Sequence, residues 1–205
     1  MTDVAIVDYG MGNLRSVLRK LVRIGAAPVV TADPDRVAAA GRIVLPGVGH
    51  FARAMRNLET SGLRAALDEA VLARGAPILG ICLGMQLLGG HSEEGDAAGL
   101  GWLDADVVRF DVADPLHHKI PHMGWNTVEV RRPDALTQGL STDSEFYFVH
   151  AYHMVCRDPD DVVGETTYAH PFVSAVGRGN VRGVQFHPEK SHDVGETMLR
   201  NFLEI

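Results

Sequence analysis

The chain has 205 residues, of which 46% are hydrophobic and 22% are charged, enough for one compact domain with a sizeable core. Its net charge of −7 argues against nucleic-acid binding, which normally requires a basic face. No apolar run approaches the roughly 18 residues that span a bilayer, and the N-terminus lacks the pattern of a secretory signal. We therefore expect a single cytoplasmic domain over residues 1–205, with no membrane or nucleic-acid partner.

Short apolar runs alternate with helical patterns in the first half of the chain. The predicted strands are residues 4–7, 29–30, 43–45 and 77–81. The predicted helices are residues 14–25, 51–74 with an interruption near Gly62, and 83–88. Continuous apolar strands that alternate with helices are typical of a parallel sheet covered on both faces.

The second half of the chain predicts strands joined by loops. These strands are residues 102–110, 127–131, 145–155 and 173–186, the last containing a tight turn at Gly179-Asn180. Residues 193–203 predict an amphipathic helix. The predicted fold class is therefore α/β, with an open, mixed, mostly parallel sheet flanked by helices and antiparallel strands added in the C-terminal half.

Cys82 stands between two glycines, where the predicted strand 77–81 turns into a helix. This is the thiol counterpart of the nucleophile elbow, a sharp turn that exposes a reactive side chain at the edge of a sheet. A helix that begins at the cysteine favours the thiolate, and the amide of Leu83 can donate to an oxyanion. A free cysteine is more often a small buried hydrophobic residue, which is our interpretation of Cys156.

His187 is the best candidate for a base that activates the cysteine. It follows the apolar run 184–186, and Pro188 favours an extended conformation in which Glu189 points the same way as the imidazole. Glu189 can therefore orient the ring, although an exposed strand end with a charged flank is the alternative. Seven other histidines are assigned to loops: His50, His91, His117, His118, His122, His170 and His192. The adjacent pair among them lacks the spacing of a metal site, so no metal is predicted.

A glycine-rich segment, Pro46-Gly47-Val48-Gly49, follows the third predicted strand. The carboxyl ends of parallel strands form the ligand crevice, so this segment and Cys82 are expected at one edge of the sheet. Glycines on both sides of Val48 allow the preceding peptide to change orientation at little cost, and the Val48 amide can then supply a second oxyanion donor. A tight loop without chemistry is the alternative, and phosphate binding is less favoured because the Walker lysine is missing.

Together these segments resemble the class I (triad) glutamine amidotransferases, and the resemblance extends over nearly the whole chain. Residues 80–86 are similar to the nucleophile segment of that family, and residues 187–191 to its base segment. Within the family, four segments resemble the glutaminase subunits of imidazole glycerol phosphate synthases. These are residues 7–13, 46–49, 121–126 and 146–152.

The resemblance implies roles for particular residues. The catalytic triad would be Cys82, His187 and Glu189. Glutamine would be held by Gly49, Gln86, Glu94 and the backbone around Ala151 and Tyr152. The face that docks a partner subunit would carry Met123, Trp125, Asn126, Tyr147 and Lys190. Core packing is the alternative for the aromatic residues of this last set, since most tryptophans are largely buried.

The family chemistry hydrolyses glutamine to glutamate and ammonia through a cysteine thioester, and no step requires a metal or organic cofactor. The resemblance also implies a heterodimer with a (β/α)₈ cyclase subunit, which receives the ammonia. That subunit would make imidazole glycerol phosphate and AICAR from the ribulosyl intermediate PRFAR in histidine biosynthesis.

Three alternatives remain open. The chain could be the glutaminase subunit of another amidotransferase, or a free-standing γ-glutamyl cysteine hydrolase that needs no partner. It could also be a binding or regulatory subunit that kept the fold without catalysis. The intact Cys82, His187 and Glu189 favour an enzyme over this last alternative.

Overall fold

The computed structural model describes residues 3–114 and 117–205, so the first two residues of the N-terminal stretch considered above lie outside the described part. The strands in chain order are β1 (Asp3–Val7), β2 (Ala27–Thr31), β3 (Ile43–Gly47), β4 (Ile78–Cys82), β5 (His91–Ser92), β6 (Ala97–Ala98), β7 (Ala105–Arg109), β8 (His122–Thr127), β9 (Glu129–Val130), β10 (Glu145–His150), β11 (Tyr152–Cys156), β12 (Val162–Thr167), β13 (Pro171–Arg178) and β14 (Val181–Val184). The α-helices are α1 (Leu14–Arg23), α2 (Pro34–Ala39), α3 (Phe51–Thr60), α4 (Leu63–Asp68), α5 (Leu83–Gln86) and α6 (His192–Glu204).

One large sheet organises the chain, in the order β2-β1-β3-β4-β14-β13-β11-β7-β5-β6. The five strands β2, β1, β3, β4 and β14 run parallel to one another. Strands β13, β11 and β7 continue the sheet in antiparallel pairs, and β12 pairs with β13 and β9 beside this path. The predicted α/β fold with antiparallel strands in the C-terminal half is therefore confirmed.

Apolar side chains cover both faces of the parallel strands. In β1, Val4 and Ile6 belong to the hydrophobic cluster on one face, and Ala5 and Val7 to the cluster on the other. Helix α6 contributes its apolar side to the first cluster, and α3 contributes to the second. This two-sided burial is the reason that the strands of the first half are continuous apolar runs rather than alternating ones. Within the described residues no helix has the length and apolar character to cross a membrane.

Strands β8 and β10 form a separate antiparallel pair beside the large sheet. Their register places Tyr147 opposite Trp125 and His150 opposite His122. Because successive side chains of a strand point to opposite faces, Trp125 and Tyr147 share the outer face of this pair, whereas His122 and His150 share the inner face. The chain leaves β10 at Ala151 and enters the large sheet as β11.

Several sequence-based predictions need correction. Residues 145–155 form two strands rather than one, because the chain changes sheets at Ala151. Strand β8 begins at His122, five residues before the predicted strand 127–131, because its polar and glycine-containing sequence lacks the apolar alternation of a half-buried strand. His122 and His91 lie in strands rather than in loops, and His192 begins α6. The helical interruption near Gly62 is confirmed, since this glycine adopts a φ of +76° between α3 and α4.

Candidate active site

Cys82 lies at the end of β4 in a conformation that side-chain-bearing residues rarely adopt, with φ +56° and ψ −110°. The two flanking glycines are required by the surrounding backbone. A Cβ atom on Gly84 would collide with the carbonyl oxygen of Leu45, and one on Gly80 would lie 2.6 Å from the carbonyl oxygen of Gly84. The glycine pattern is therefore a packing requirement of a strained strand-to-helix turn that presents the thiol.

Two hydrogen-bond partners hold the sulfur of Cys82. The thiol donates to the carbonyl oxygen of Val149 over 3.8 Å, and Nε2 of Gln185 donates to Sγ over 3.7 Å. Oε1 of Gln185 in turn accepts a bond of 3.0 Å from Nε2 of Gln86. Gln185 was not among the predicted site residues, although a glutamine between Val184 and Phe186 in an apolar run is a sequence signal for a buried polar role.

The imidazole of His187 is paired with the carboxylate of Glu189, and both side chains are buried. Nδ1 of His187 donates to Oε1 of Glu189 over 2.9 Å. Burial by itself lowers the pKa of His187, but its interactions with Cys82 and Glu189 outweigh this effect and raise the pKa to about 9. Nε2 of the ring has no hydrogen-bond partner among the described residues. This nitrogen is therefore the one available for proton transfer.

Two hydrogen bonds attach the histidine segment to β10, and a third lies within the segment. The backbone amide of His187 donates to the carbonyl oxygen of Tyr147 over 2.9 Å. The hydroxyl of Ser191 donates to the carbonyl oxygen of His187 over 2.6 Å and accepts from the amide of Tyr147 over 3.0 Å. The base is thus positioned by the two-stranded sheet and not only by the end of β14.

A cavity of about 300 Å³ opens beside Cys82. Its lining contains all five residues that the resemblance implies for glutamine binding, together with both oxyanion candidates. The lining residues are Val48, Gly49, Cys82, Leu83, Gln86, Glu94, Pro121, Val149, His150, Ala151 and Tyr152. The structure therefore brings the candidate glutamine-binding residues and the candidate oxyanion donors together at one edge of the sheet, where the carboxyl ends of β3 and β4 meet.

Hydrogen bonds within the lining fix the side chains that would meet a substrate. Nε2 of Gln86 donates to the carbonyl oxygen of Tyr152 over 2.9 Å. Oε2 of Glu94 accepts from the amide of Phe51 over 2.7 Å, at the first residue of α3. These bonds join the lining to β11 and α3, so the cavity is shaped by rigid elements rather than by loops alone.

The two oxyanion candidates lie on either side of Cys82. Leu83 is the first residue of α5, so its amide has no acceptor within the helix. Val48 is 40% exposed and is followed by Gly49 with φ +120°. A Cβ on Gly47 would collide with the buried hydroxyl of Tyr9, which lies in the segment 7–13 and had no predicted role in the site. Burial and the charge of Cys82 raise the pKa of the Tyr9 hydroxyl well above its usual value.

Four of the five residues implied for the partner face lie on the outer surface of β8 and β10 or next to it. Met123 and Trp125 are exposed, Trp125 contacts the ring of Tyr147 with centroids 5.9 Å apart, and Nζ of Lys190 lies 5.3 Å from the Tyr147 ring centroid. The Asn126 side chain instead points to the inner face, where Nδ2 donates to the carbonyl oxygen of Thr167 over 2.9 Å.

The second cysteine and the possible metal ligands were compared with this site. Burial raises the pKa of the Cys156 thiol to about 12, which keeps this second cysteine protonated at neutral pH. Within residues 3–114 and 117–205 no three histidine, cysteine or carboxylate side chains are grouped in a way that could hold a metal ion.

Comparison with known proteins identifies the family of the chain. The family model described as glutamine amidotransferase class-I matches residues 5–205. The imidazole glycerol phosphate synthase subunit HisH of Moorella thermoacetica is 50% identical and covers 100% of this chain and 96% of its own length. The subunit HisH 2 of Pseudomonas aeruginosa is 45% identical, with 98% and 99% covered.

Solved structures share the fold at lower sequence identity. PurLQS from Thermotoga maritima has a TM-score of 0.73 at 20% identity, covering 99% of this chain and 98% of that chain. A glutamine amidotransferase from Thermotoga maritima has a TM-score of 0.66 at 16% identity, with 99% and 96% covered. The chain belongs to the class-I glutamine amidotransferase family and, within it, to the HisH subunits of imidazole glycerol phosphate synthase.

Proposed function

We propose that Cys82, His187 and Glu189 hydrolyse glutamine in this chain through a thioester on the Cys82 sulfur. As a HisH subunit the chain is a glutaminase that works with a partner subunit in histidine biosynthesis. The observation that carries the residue assignment is the buried His187–Glu189 pair beside a strained cysteine at the edge of the sheet. The cavity next to that cysteine contains every residue that the family resemblance implies for glutamine.

The proposed reaction begins with proton transfer from the Cys82 thiol to Nε2 of His187. The thiolate attacks the side-chain amide carbon of glutamine, and the resulting tetrahedral intermediate carries a negative oxygen. His187 then gives its proton to the leaving nitrogen, so ammonia departs and a thioester remains. Water attacks the thioester, His187 takes the water proton and returns it to the sulfur, and glutamate leaves.

The oxyanion of both tetrahedral intermediates would be stabilised by the backbone amides of Leu83 and Val48. One well-placed oxyanion donor contributes about 3 kcal/mol, or roughly a hundredfold in rate. A Gly47–Val48 peptide that points its amide away from the cavity would therefore slow turnover by about this factor. A rotation of this peptide changes ψ of Gly47 and φ of Val48, and Gly47 has no side chain of its own to restrict it.

For the partner, we propose a (β/α)₈ cyclase subunit that forms a heterodimer with this chain in the cytoplasm and receives the ammonia. The outer face of β8 and β10 supports this assignment, since it exposes Met123 and Trp125 as neighbours on one strand. Large exposed apolar and aromatic side chains are typical of the centres of protein interfaces. Residues 1–205 would act as one glutaminase domain in this complex.

The test is glutamate release from glutamine by the full chain in three states: without a partner, with a cyclase subunit, and with that subunit plus its ribulosyl-nucleotide ligand. We expect weak activity without the partner and an increase by orders of magnitude when partner and ligand are both present. Full activity that is indifferent to the cyclase would contradict the partner assignment and favour a free-standing hydrolase. Unchanged activity in a Cys82→Ala complex would instead contradict the catalytic assignment.

A further inference from the structure

A second pair of buried histidines, His122 and His150, lies next to the cavity and takes no part in the proposed reaction. Nδ1 of His122 and Nε2 of His150 are 3.2 Å apart, across the β8–β10 register. His150 itself lines the cavity beside Ala151 and Tyr152. A hydrogen bond between two imidazoles requires one protonated and one unprotonated nitrogen, so the position of each proton can be deduced from the groups at the two ends.

On the side of the pair where His122 meets Asn126, two backbone groups determine the orientation of the Asn126 amide. Its Oδ1 accepts from the amide of Thr127 over 2.9 Å, and its Nδ2 donates to the carbonyl oxygen of Thr167 over 2.9 Å. The same Nδ2 lies 3.4 Å from Nε2 of His122. Because Nδ2 can only donate, Nε2 of His122 must be unprotonated, and the proton of this neutral ring lies on Nδ1.

On the other side of the pair, the carbonyl oxygen of Tyr152 determines the protonation of His150. Nδ1 of His150 lies 2.8 Å from the carbonyl oxygen of Tyr152, which can only accept, so Nδ1 must carry a proton. In a neutral ring Nε2 is then the acceptor. This is the nitrogen to which Nδ1 of His122 has to donate. The groups at Asn126 and at Tyr152 therefore independently require the same direction of hydrogen-bond donation.

The surroundings of the two rings favour their neutral forms. The rings contact Phe110, Phe148 and Phe172, and Tyr168 stacks on His122 with centroids 4.1 Å apart. Burial lowers the pKa of His122 to about 4 and that of His150 to about 3. The other titratable groups that act on His150 are His153 and His187, and both also lower its pKa.

We infer that His122 and His150 are positioning residues, a pair of neutral Nδ1-protonated imidazoles that holds the Tyr152 carbonyl in place for glutamine binding and connects it to Asn126 on β8. The inference rests on the proposed function, since it concerns the same cavity. The Tyr152 carbonyl accepts one hydrogen bond from Nδ1 of His150 and another from Nε2 of Gln86. The segment that turns from β10 into β11, at the proposed glutamine site, is thereby tied to the strand that also carries Trp125.

The protonation states can be measured without any activity assay. We expect nitrogen-15 spectra of the full chain with labelled histidine to show, at neutral pH, a protonated Nδ1 and an unprotonated Nε2 in both rings. Assignment uses the single His122→Asn and His150→Asn variants. A protonated Nε2 or a doubly protonated ring at either position would overturn the inference, whether or not the chain hydrolyses glutamine.

Kinetics test the positioning role. His150→Leu removes the donor to Tyr152, so we expect KM for glutamine to rise by about tenfold while kcat changes by less than threefold, because loss of one hydrogen bond corresponds to about this factor. His150→Asn keeps an N–H group near the position of Nδ1 and should restore most of the affinity. The matched control is His153→Leu, a buried histidine of β11 that bonds only to the Met154 carbonyl, which should leave KM within about twofold.

The outcomes separate this inference from the proposed function. A wild-type complex that releases no glutamate would overturn the proposed function, whereas the nitrogen-15 spectra would still decide the protonation of the pair. An active wild type with an unchanged KM in His150→Leu would overturn the positioning role alone. An equal rise in KM for His150→Leu and His153→Leu would also overturn it, since general loss of packing would then explain both.

Discussion

The backbone amide of His187 donates to the carbonyl oxygen of Tyr147 over 2.9 Å, so the proposed base is bonded directly to a strand of the proposed partner face. On the outer side of β10, the Tyr147 ring contacts Trp125 and lies beneath the ammonium group of Lys190. Two residues further along β10, the Val149 carbonyl accepts from the Cys82 thiol. A partner that docks on this face would therefore lie one strand away from both the nucleophile and the base.

The catalytic assignment predicts the effect of removing the thiol. Cys82→Ala should lower glutamate release by at least about a thousandfold in the complex, because no thioester can form. Cys156→Ala is the matched control, and we expect it to retain activity within about twofold. The measurement is initial glutamate release at saturating glutamine. Similar losses in the two variants would contradict the assignment.

The second prediction concerns the carboxylate that orients the base. Glu189→Gln keeps the side-chain size and an oxygen that can accept from Nδ1 of His187, but it removes the negative charge that helps to raise the pKa of His187. We expect this pKa to fall and kcat to decrease by roughly a hundredfold. The control is Glu196→Gln on α6, whose carboxylate pairs with Lys20 outside the site and should affect kcat less than threefold. If both variants have the same pH profile as the wild type, Glu189 does not act on the base.

Folding stability should depend on pH through His187. The pKa of this residue is about 9 in the folded chain and 6.5 for an ordinary histidine, so between these values the folded state binds more protons than the unfolded state. The free energy of unfolding therefore falls as pH rises. The contribution of His187 is complete below about pH 6.5 and is lost as pH passes about 9.

Urea denaturation at pH 6 and at pH 9.5 measures this contribution. The wild type should lose more stability over this interval than His187→Gln, which has no titrating ring at the position. The difference between the two proteins isolates His187 from the other groups that titrate over the same range. A loss of the same size in both proteins would show that the ring does not bind its proton more tightly in the folded state.

The elbow geometry predicts a large cost for Gly84→Ala. The new methyl group would collide with the Leu45 carbonyl oxygen of the neighbouring strand, so β3 or the turn at Cys82 must shift. We expect a loss of more than about 2 kcal/mol of stability, the range of severe packing defects, and a matching loss of Cys82 alkylation. Gly90→Ala is the control, because its methyl group would lie 3.7 Å from the nearest atom. Equal melting temperatures for the two variants would contradict this interpretation.

A substitution on the partner face should lower the affinity for the partner subunit without changing the reactivity of Cys82. Trp125→Ala should weaken binding of the cyclase subunit by at least about tenfold, the effect of a moderate interface hot spot. The rate of Cys82 alkylation in the isolated chain should stay unchanged. Leu72→Ala, at an exposed apolar residue in the π-helical turn Glu69–Ala73, serves as the control. Titration calorimetry measures both affinities, and an equal affinity for the two variants would exclude the β8–β10 face as the docking surface.

Local patterns in the sequence predicted the strands β1 to β4 and the elbow, and they selected the three residues of the candidate triad, whereas the short strands β5 and β6 were not predicted. Continuous apolar runs predict strands that are buried on both faces, as β1, β3 and β4 are. The glycines on both sides of Cys82 indicate a turn whose backbone packs too closely for any larger residue. The two-residue spacing of His187 and Glu189 is enough for their contact. Each of these features depends on residues that are close in sequence.

The tertiary structure alone decided which distant residues meet. His122 and His150 are 28 positions apart and pair only because of the β8–β10 register, and Gln185 reaches Cys82 only because β14 lies beside β4. The break at Ala151 and the inward side chain of Asn126 have the same origin. Short-range periodicity reflects the preference of each segment for helix or strand, whereas register and strand order follow from the burial of the whole chain, which no single segment encodes.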